Sequence, residues 1–168
     1  MGAQESLPSQ IIVNVMKLKY LLLALTSLAL FACSSDDDTE TTPAYLLQGT
    51  DARPTSWIKP DYSLYELTMS VQVQLGDTLA KYQTDQDLMC ATIGGEVRAV
   101  TEPKVTMSEI YYPLTIAENG GEKTVALHYY CDSLHRIYTI ENWANFDPSA
   151  APTGDDGIYR PKFTASMQ

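Results

Sequence analysis

The chain has 168 residues, 45% of them hydrophobic, with 11 Lys and Arg against 21 Asp and Glu, for a formal charge of -10. That balance argues against nucleic acid as a partner, because phosphates need clustered Lys and Arg, and against docking on anionic lipid through a basic face. The length is one domain's worth, enough to bury a core without metal or several disulfides.

Residues 1–15 (MGAQESLPSQIIVNV) place Gln, Glu, Ser and Pro ahead of a signal that should begin basic. They read as a mis-assigned extension before a true start at Met16 and are left out of the fold reasoning. Residues 16–32 then carry Lys17 and Lys19, an apolar run over 20–32 and the ending Leu30-Phe31-Ala32-Cys33. The run is shorter than the roughly 20 residues of a membrane-spanning helix, so the order reads as a bacterial lipoprotein signal peptide. With the acidic residues that follow, the stretch resembles the signal and tether of a Bacteroidetes surface lipoprotein, although Phe31 departs from the small or aliphatic residue usual there. The resemblance implies lipidation at Cys33 and attachment to the outer membrane through that lipid, facing the cell exterior. Losing Lys17, Lys19 and Glu5 would move the formal charge from -10 to about -11. Residues 33–43, with SSDDDTETTP after the cysteine, have no large apolar side chain to offset their ordering entropy and read as an acidic flexible tether. The expected domain is 44–168.

That domain reads as strands. Over residues 64–75, Tyr65, Leu67, Met69, Val71, Val73 and Leu75 alternate with Glu66, Thr68, Ser70, Gln72 and Gln74, a period of two that buries one face. Residues 88–93 and 96–100 flank Gly94-Gly95, a pair that tolerates positive φ and predicts a tight hairpin, and Pro103 closes the second arm. Residues 110–117 alternate again, the segment 118–121 (ENGG) turns, and 123–131 returns with Val125, Leu127, Tyr129 and Cys131 on one face. After a turn at 132–134 come strands at 135–141 and near 158–164, separated by a long stretch, 142–157, suited to crossing between sheets. About seven short strands with no amphipathic helix predict an all-β, antiparallel β-sandwich, with a closed barrel as the other solution.

Residues 87–99 (DLMCATIGGEVRA) resemble the motif Asp-x-x-Ala-Ala-Phe-x-Gly-x-Glu-Cys-Arg-Gly of small Ig-like β-sandwich modules found in Bacteroidetes surface lipoproteins. Asp87, Ala91, Gly94, Glu96 and Arg98 fit it; Cys90, Thr92, Val97 and Ala99 depart from it. The resemblance covers about residues 57–163 and implies an Ig-like sandwich with a surface role and no established catalytic residues.

Sites of chemistry are sparse. His128 and His135 lack partners at zinc-ligand spacing, and no nucleophile elbow, P-loop or dinucleotide fingerprint occurs, so the chain reads as non-catalytic, without cofactor or metal. Asp147, Asp155 and Asp156 lie in a turn-rich loop without the spacing of a calcium loop, which favours turn chemistry. Arg98 and Glu96, two apart on one strand, read as a solvated ion pair, with a ligand role for Arg98 as the alternative. Cys90 and Cys131, an even pair once Cys33 is lipidated, are a candidate disulfide; two buried free thiols are the competing account.

The binding candidates are aromatic, in a chain with 11 Tyr and two Trp. If Tyr112 and Tyr129 face the core, Tyr111 and Tyr130 point outward as neighbours on a strand must. Trp143, between Asn142 and Asn145, offers an indole for the face of a sugar ring and amides for its rim; plugging one end of the core is the competing role. Trp57 and Tyr159 are further candidates. The function expected is a non-catalytic surface module for binding or adhesion to a glycan or protein; the alternative is a structural accessory lipoprotein of an outer-membrane complex.

Overall fold

The computed structural model describes residues 42–107 and 109–163, which belong to one compact unit beginning at Thr42. The readings for the extension, the signal peptide, Cys33 and the tether up to residue 41 lie outside the described residues. The elements are β1 (Leu67–Val73), a one-turn helix α1 (Asp77–Ala80), β2 (Leu88–Ile93), β3 (Glu96–Thr101), β4 (Lys104–Val105), β5 (Ile110–Glu118), β6 (Thr124–Cys131) and β7 (Arg136–Asn145). The strands form two antiparallel sheets, β1-β5-β4 and β3-β2-β6-β7, so the protein is the all-β, two-sheet structure its alternating runs predict.

In β1, Met69, Val71 and Val73 are buried and Thr68, Ser70 and Gln72 exposed. They lie opposite Ile116, Leu114 and Tyr112 of β5, so both strands turn their apolar sides to the same interior. The strand is shorter than 64–75. Asp61 caps a 3-10 turn over Tyr62–Leu64 by accepting from the Ser63 amide, and Leu67, at the end of its ladder, is 42% exposed rather than core. The β2–β3 turn is a two-residue loop with Gly94 at φ 59° and Gly95 at φ 81°, the conformation that suits the right-handed twist of paired strands and that glycine adopts at little cost.

Three details depart from the expected strands. Beyond Pro103 the chain adds the two-residue β4, which carries it from one sheet to the other. Strand β7 continues to Asn145 across a bulge: the register passes from Leu127↔Ile140 to Val125↔Ala144, and Asn142 sits at φ 51°. The last predicted strand is reduced to one parallel bridge, Val73↔Tyr159, in which the Tyr159 amide donates to Gln72 and its carbonyl accepts from Gln74. Pro161 has no amide to extend it, and residue 164 lies outside the described residues. The segment between β7 and Tyr159 still crosses from an edge of one sheet to an edge of the other, as expected of 142–157, but begins after Asn145.

Between the sheets, Tyr129 stacks on Tyr138 with ring centres 5.9 Å apart and meets Tyr112 edge-on at the same distance. Their polar ends converge on Asp87, which is fully buried. Its carboxylate accepts from the hydroxyls of Tyr129 (2.7 Å), Tyr112 (3.3 Å) and Thr84 (2.9 Å), and from the amides of Thr84 (3.1 Å) and Asp132 (2.9 Å). Satisfied this way, a carboxylate can sit in the core and tie the start of β2 to β5, β6 and the β6–β7 turn. Burial pushes the Tyr112 and Tyr129 hydroxyls well above the ordinary tyrosine range, so both stay protonated and donate.

Candidate functional site

The site is set by the segment preceding β1, which lies as a strap over the outer face of the four-stranded sheet. Leu46 is buried in the core and the Tyr45 carbonyl accepts from the Tyr138 hydroxyl. The Gly49 and Asp51 amides donate to Leu134 and His135, and the Asp51 carboxylate accepts from the Ile137 amide. A Cβ on Gly49 would stand 2.5 Å from Arg136 Cγ and 2.6 Å from the His135 carbonyl oxygen, so only glycine lets the strap approach this turn. On the far side of β6, the Arg53 guanidinium donates to the Gln86 carbonyl.

The outer-face side chains run in rows. Leu88, Tyr130 and Ile137 form one row and Cys90, His128 and Thr139 the next. With Asp51 fixed to the Ile137 amide on the edge strand β7 and Arg53 beside Leu88, the strap crosses the first row and buries Tyr130. This corrects the expectation of an outward, accessible Tyr130: it does point away from the core, but the strap covers it. Trp57 covers the second row, its ring centre 5.9 Å from that of His128. His128 bridges the sheet, with Nε2 3.0 Å from the Thr92 hydroxyl and Nδ1 2.9 Å from the Thr139 hydroxyl. Burial lowers its pKa below the usual histidine value, and Glu141 acts weakly against that shift.

Where the strap leaves the sheet, two open grooves share the half-buried Trp57 as a wall. One, of about 510 Å³, continues past His128 along Thr92, Ala126 and Thr124 to Glu141 and Asn142. The other, of about 630 Å³, is lined by Arg53, Lys59, Tyr62, Glu102 and Lys104 over a floor that includes Leu88, Val100 and Pro113. An indole beside hydroxyl, imidazole, amide and charged groups can hold a ring with an apolar face and a polar rim.

The other sequence candidates lie apart from it. Trp143 is on β7 just past the bulge, not in a loop; its ring packs against Tyr159 at 5.5 Å and borders the core, and its Nε1 is buried without an acceptor among the described residues. That is the geometry of the plug, with Tyr159 as its cover. Tyr111 is half-buried on β5 opposite Lys104. Arg98 is clamped, donating to Glu96 (2.6 Å) and to Glu118 at the end of β5 (3.1 Å) while lying 5.3 Å over the Tyr65 ring. It joins the two sheets instead of standing free as a solvated pair. The Asn119 amide holds the Glu118 carboxyl below its ordinary range; burial opposes this and Arg98 reinforces it.

Cys90 faces outward in the His128 row and Cys131 lies beyond Tyr130 among the buried core residues. Both thiols are free, and burial pushes that of Cys90 up to about 12. His128 and His135 do not face each other: His135 is an exposed turn residue at φ 46°. Among the described residues no three His, Cys, Asp or Glu are placed to hold a metal, and no helix is long and apolar enough to cross a membrane. Asp147 and Asp156 serve turns, accepting from Ser149 and Ile158, and Asp156 also pairs with Arg160 at 2.8 Å.

No family model, curated protein or solved structure matches the chain. The assignment of a site therefore rests on its own geometry, in which Trp57 matters more than Trp143. Sequence pattern ranked them the other way because 48–61 has no periodicity and so carries no sign of which face it covers, whereas Asn142-Trp143-Ala144-Asn145 looks like a loop once the bulge breaks its alternation. Asp87, read only as a motif position, was missed as the hub of the core. The two tyrosines on alternating strands were the available signal.

Proposed function

We propose that this chain is a non-catalytic surface lipoprotein of the small Ig-like module type, anchored in the outer membrane through Cys33, which binds a glycan or a protein partner at the Trp57 grooves. The observation that carries the binding part is the half-buried indole of Trp57, which lies near His128 on the outer face of the four-stranded sheet and walls two open grooves with polar rims. An apolar wall with a few placed polar groups is what sugar rings and extended peptide side chains both require.

Two experiments test the reading. Cys33→Ser is expected to abolish incorporation of labelled palmitate and release the protein from membranes; equal labelling of the mutant refutes the anchor. On a broad glycan array, Trp57→Ala is expected to remove most binding while leaving the melting temperature nearly unchanged. Loss of binding in Trp143→Ala but not in Trp57→Ala would refute the placement. A protein that binds no glycan but co-purifies in a fixed ratio with an outer-membrane complex would point to the accessory role instead.

A further inference from the structure

We propose that the groove lined by Arg53, Trp57, Lys59, Tyr62, Glu102 and Lys104 takes an acidic saccharide, one whose sugar rings carry carboxylate or sulfate. This rests on the binding reading above and deepens it by naming the ligand class. The chain carries 21 acidic and 11 basic residues, yet three cations and a single carboxylate line this one groove. Other bases are spent on the protein itself: Arg98 on Glu96 and Glu118, Arg136 on the Leu47 carbonyl, and Arg160 on Asp156 and Gln74.

Within the groove the three cations are held differently. The Arg53 guanidinium is fixed by the Gln86 carbonyl and stands 3.8 Å from Glu102, so it forms a wall. The Lys59 ammonium lies over the Tyr62 ring, 5.4 Å from its centre, an attraction that restrains its stem without neutralising its charge. Lys104 is exposed on β4, opposite Tyr111. Lys59, restrained over Tyr62, and the exposed Lys104 therefore offer ammonium donors with no ion-pair partner among the described residues, which is what an anionic group on a ligand pairs with best.

The rest of the lining says what carries the anion. Trp57, Pro54, Leu88, Val100 and Pro113 supply apolar surface, and Thr101 and Thr115 supply hydroxyls, in a volume of about 630 Å³ that falls within the range of ligand sites. A bare inorganic anion would gain nothing from those walls, and a long polyanion would meet repulsion from the acidic remainder of the molecule. A pyranose with one charged substituent uses both the apolar walls and the cations. The companion groove beyond Trp57 contains Glu141 and no Lys or Arg, so the preference for an anion belongs to one side of the indole.

The test uses the full chain purified in detergent, with binding followed by calorimetry. The probes are short oligogalacturonates, hyaluronan oligosaccharides and sulfated galactan oligosaccharides, each paired with its neutral methyl-ester or desulfated counterpart, with inorganic phosphate as the simple-anion control. At least one acidic member is expected to bind about tenfold or more tightly than its neutral partner, and to weaken steeply as salt rises towards about 0.3 M. Lys59→Gln/Lys104→Gln should bring the acidic member down to its partner's affinity and leave the partner unchanged, whereas Trp57→Ala should weaken both.

Equal affinity within every pair overturns the acidic preference and leaves the binding reading standing. Phosphate competing as well as the oligosaccharide overturns the saccharide part. An acidic preference that survives the double substitution overturns the location. Failure of all these probes beside clear binding to neutral glycans on an array overturns this inference alone; failure on every glycan overturns it together with the glycan reading.

Discussion

Tyr129 and Tyr130 are neighbours on one strand, point to opposite faces of the four-stranded sheet and are both almost fully buried, but by different means. Tyr129 is covered by a second sheet and held by Tyr112, Tyr138 and Asp87, so its burial is redundant. Tyr130 is covered by one pass of the strap, whose position depends on Gly49, Asp51 and Arg53. A sheet packed on a sheet removes water from an entire face and leaves no room for a ligand. A strap covers two rows and stops, and the uncovered remainder is the groove that runs from Trp57 past His128 to Glu141 and Asn142.

The largest expected effect breaks the inner side. Asp87→Ala leaves two tyrosine hydroxyls and two amides without their acceptor and should cost about 3–5 kcal/mol, read from urea denaturation. Asp87→Asn keeps shape and some acceptor capacity, so it should cost clearly less; equal losses would mean that the carboxylate is not the hub. Next come the tryptophans: Trp143→Ala should cost about 3 kcal/mol and Trp57→Ala under about 1 kcal/mol. Reversed values would exchange their roles.

Gly49→Ala tests the outer side. Its methyl group must push the strap off the His135 carbonyl, at an expected cost of about 1–3 kcal/mol. The more telling readout is Cys90, whose thiol is held unreactive by burial. Its alkylation at neutral pH should accelerate in Gly49→Ala, while Cys131, on the core side, should keep its rate. Parallel acceleration of both thiols would show global unfolding rather than a lifted strap.

The smallest effect is on pH dependence. Burial depresses the folded-state pKa of His128, so below about pH 6.5 the unfolded chain takes up a proton sooner than the folded one, and stability falls as pH falls towards the folded value. His128→Gln should flatten the melting temperature between pH 7.5 and pH 5. An unchanged slope would assign the pH dependence to another group.

Much of the fold was legible because alternation reports directly on which side of a strand meets the core, and β1, β5 and β6 alternate over 68–73, 112–116 and 124–129. The Gly94-Gly95 hairpin was legible for a local reason, since few other residue pairs accept positive φ twice in succession. Leu67 misled because alternation does not say where a ladder ends, and the Asp61-capped turn ends it early. Tyr130 misled because period two distinguishes core from outer face, not buried from exposed. Whether an outer face is wet depends on an aperiodic segment some seventy residues earlier in the chain. The binding site shares this limit: Trp57 could be named as an aromatic, but its partners His128, Lys59 and Lys104 come together only when the strap crosses the sheet.

The order of attachments along the strap has a mechanical consequence. Tension applied at Thr42 and directed away from the domain meets Tyr45 and Leu46 first, then Leu47 on Arg136, Gly49 on Leu134 and Asp51 on His135 and Ile137, before it reaches Trp57. These contacts lie in series between the pulling point and the indole, so each must yield before the next is loaded. The grooves should keep their shape under pulling from that end until this chain of contacts has peeled, and relaxation would let the strap zip back from Trp57 outward.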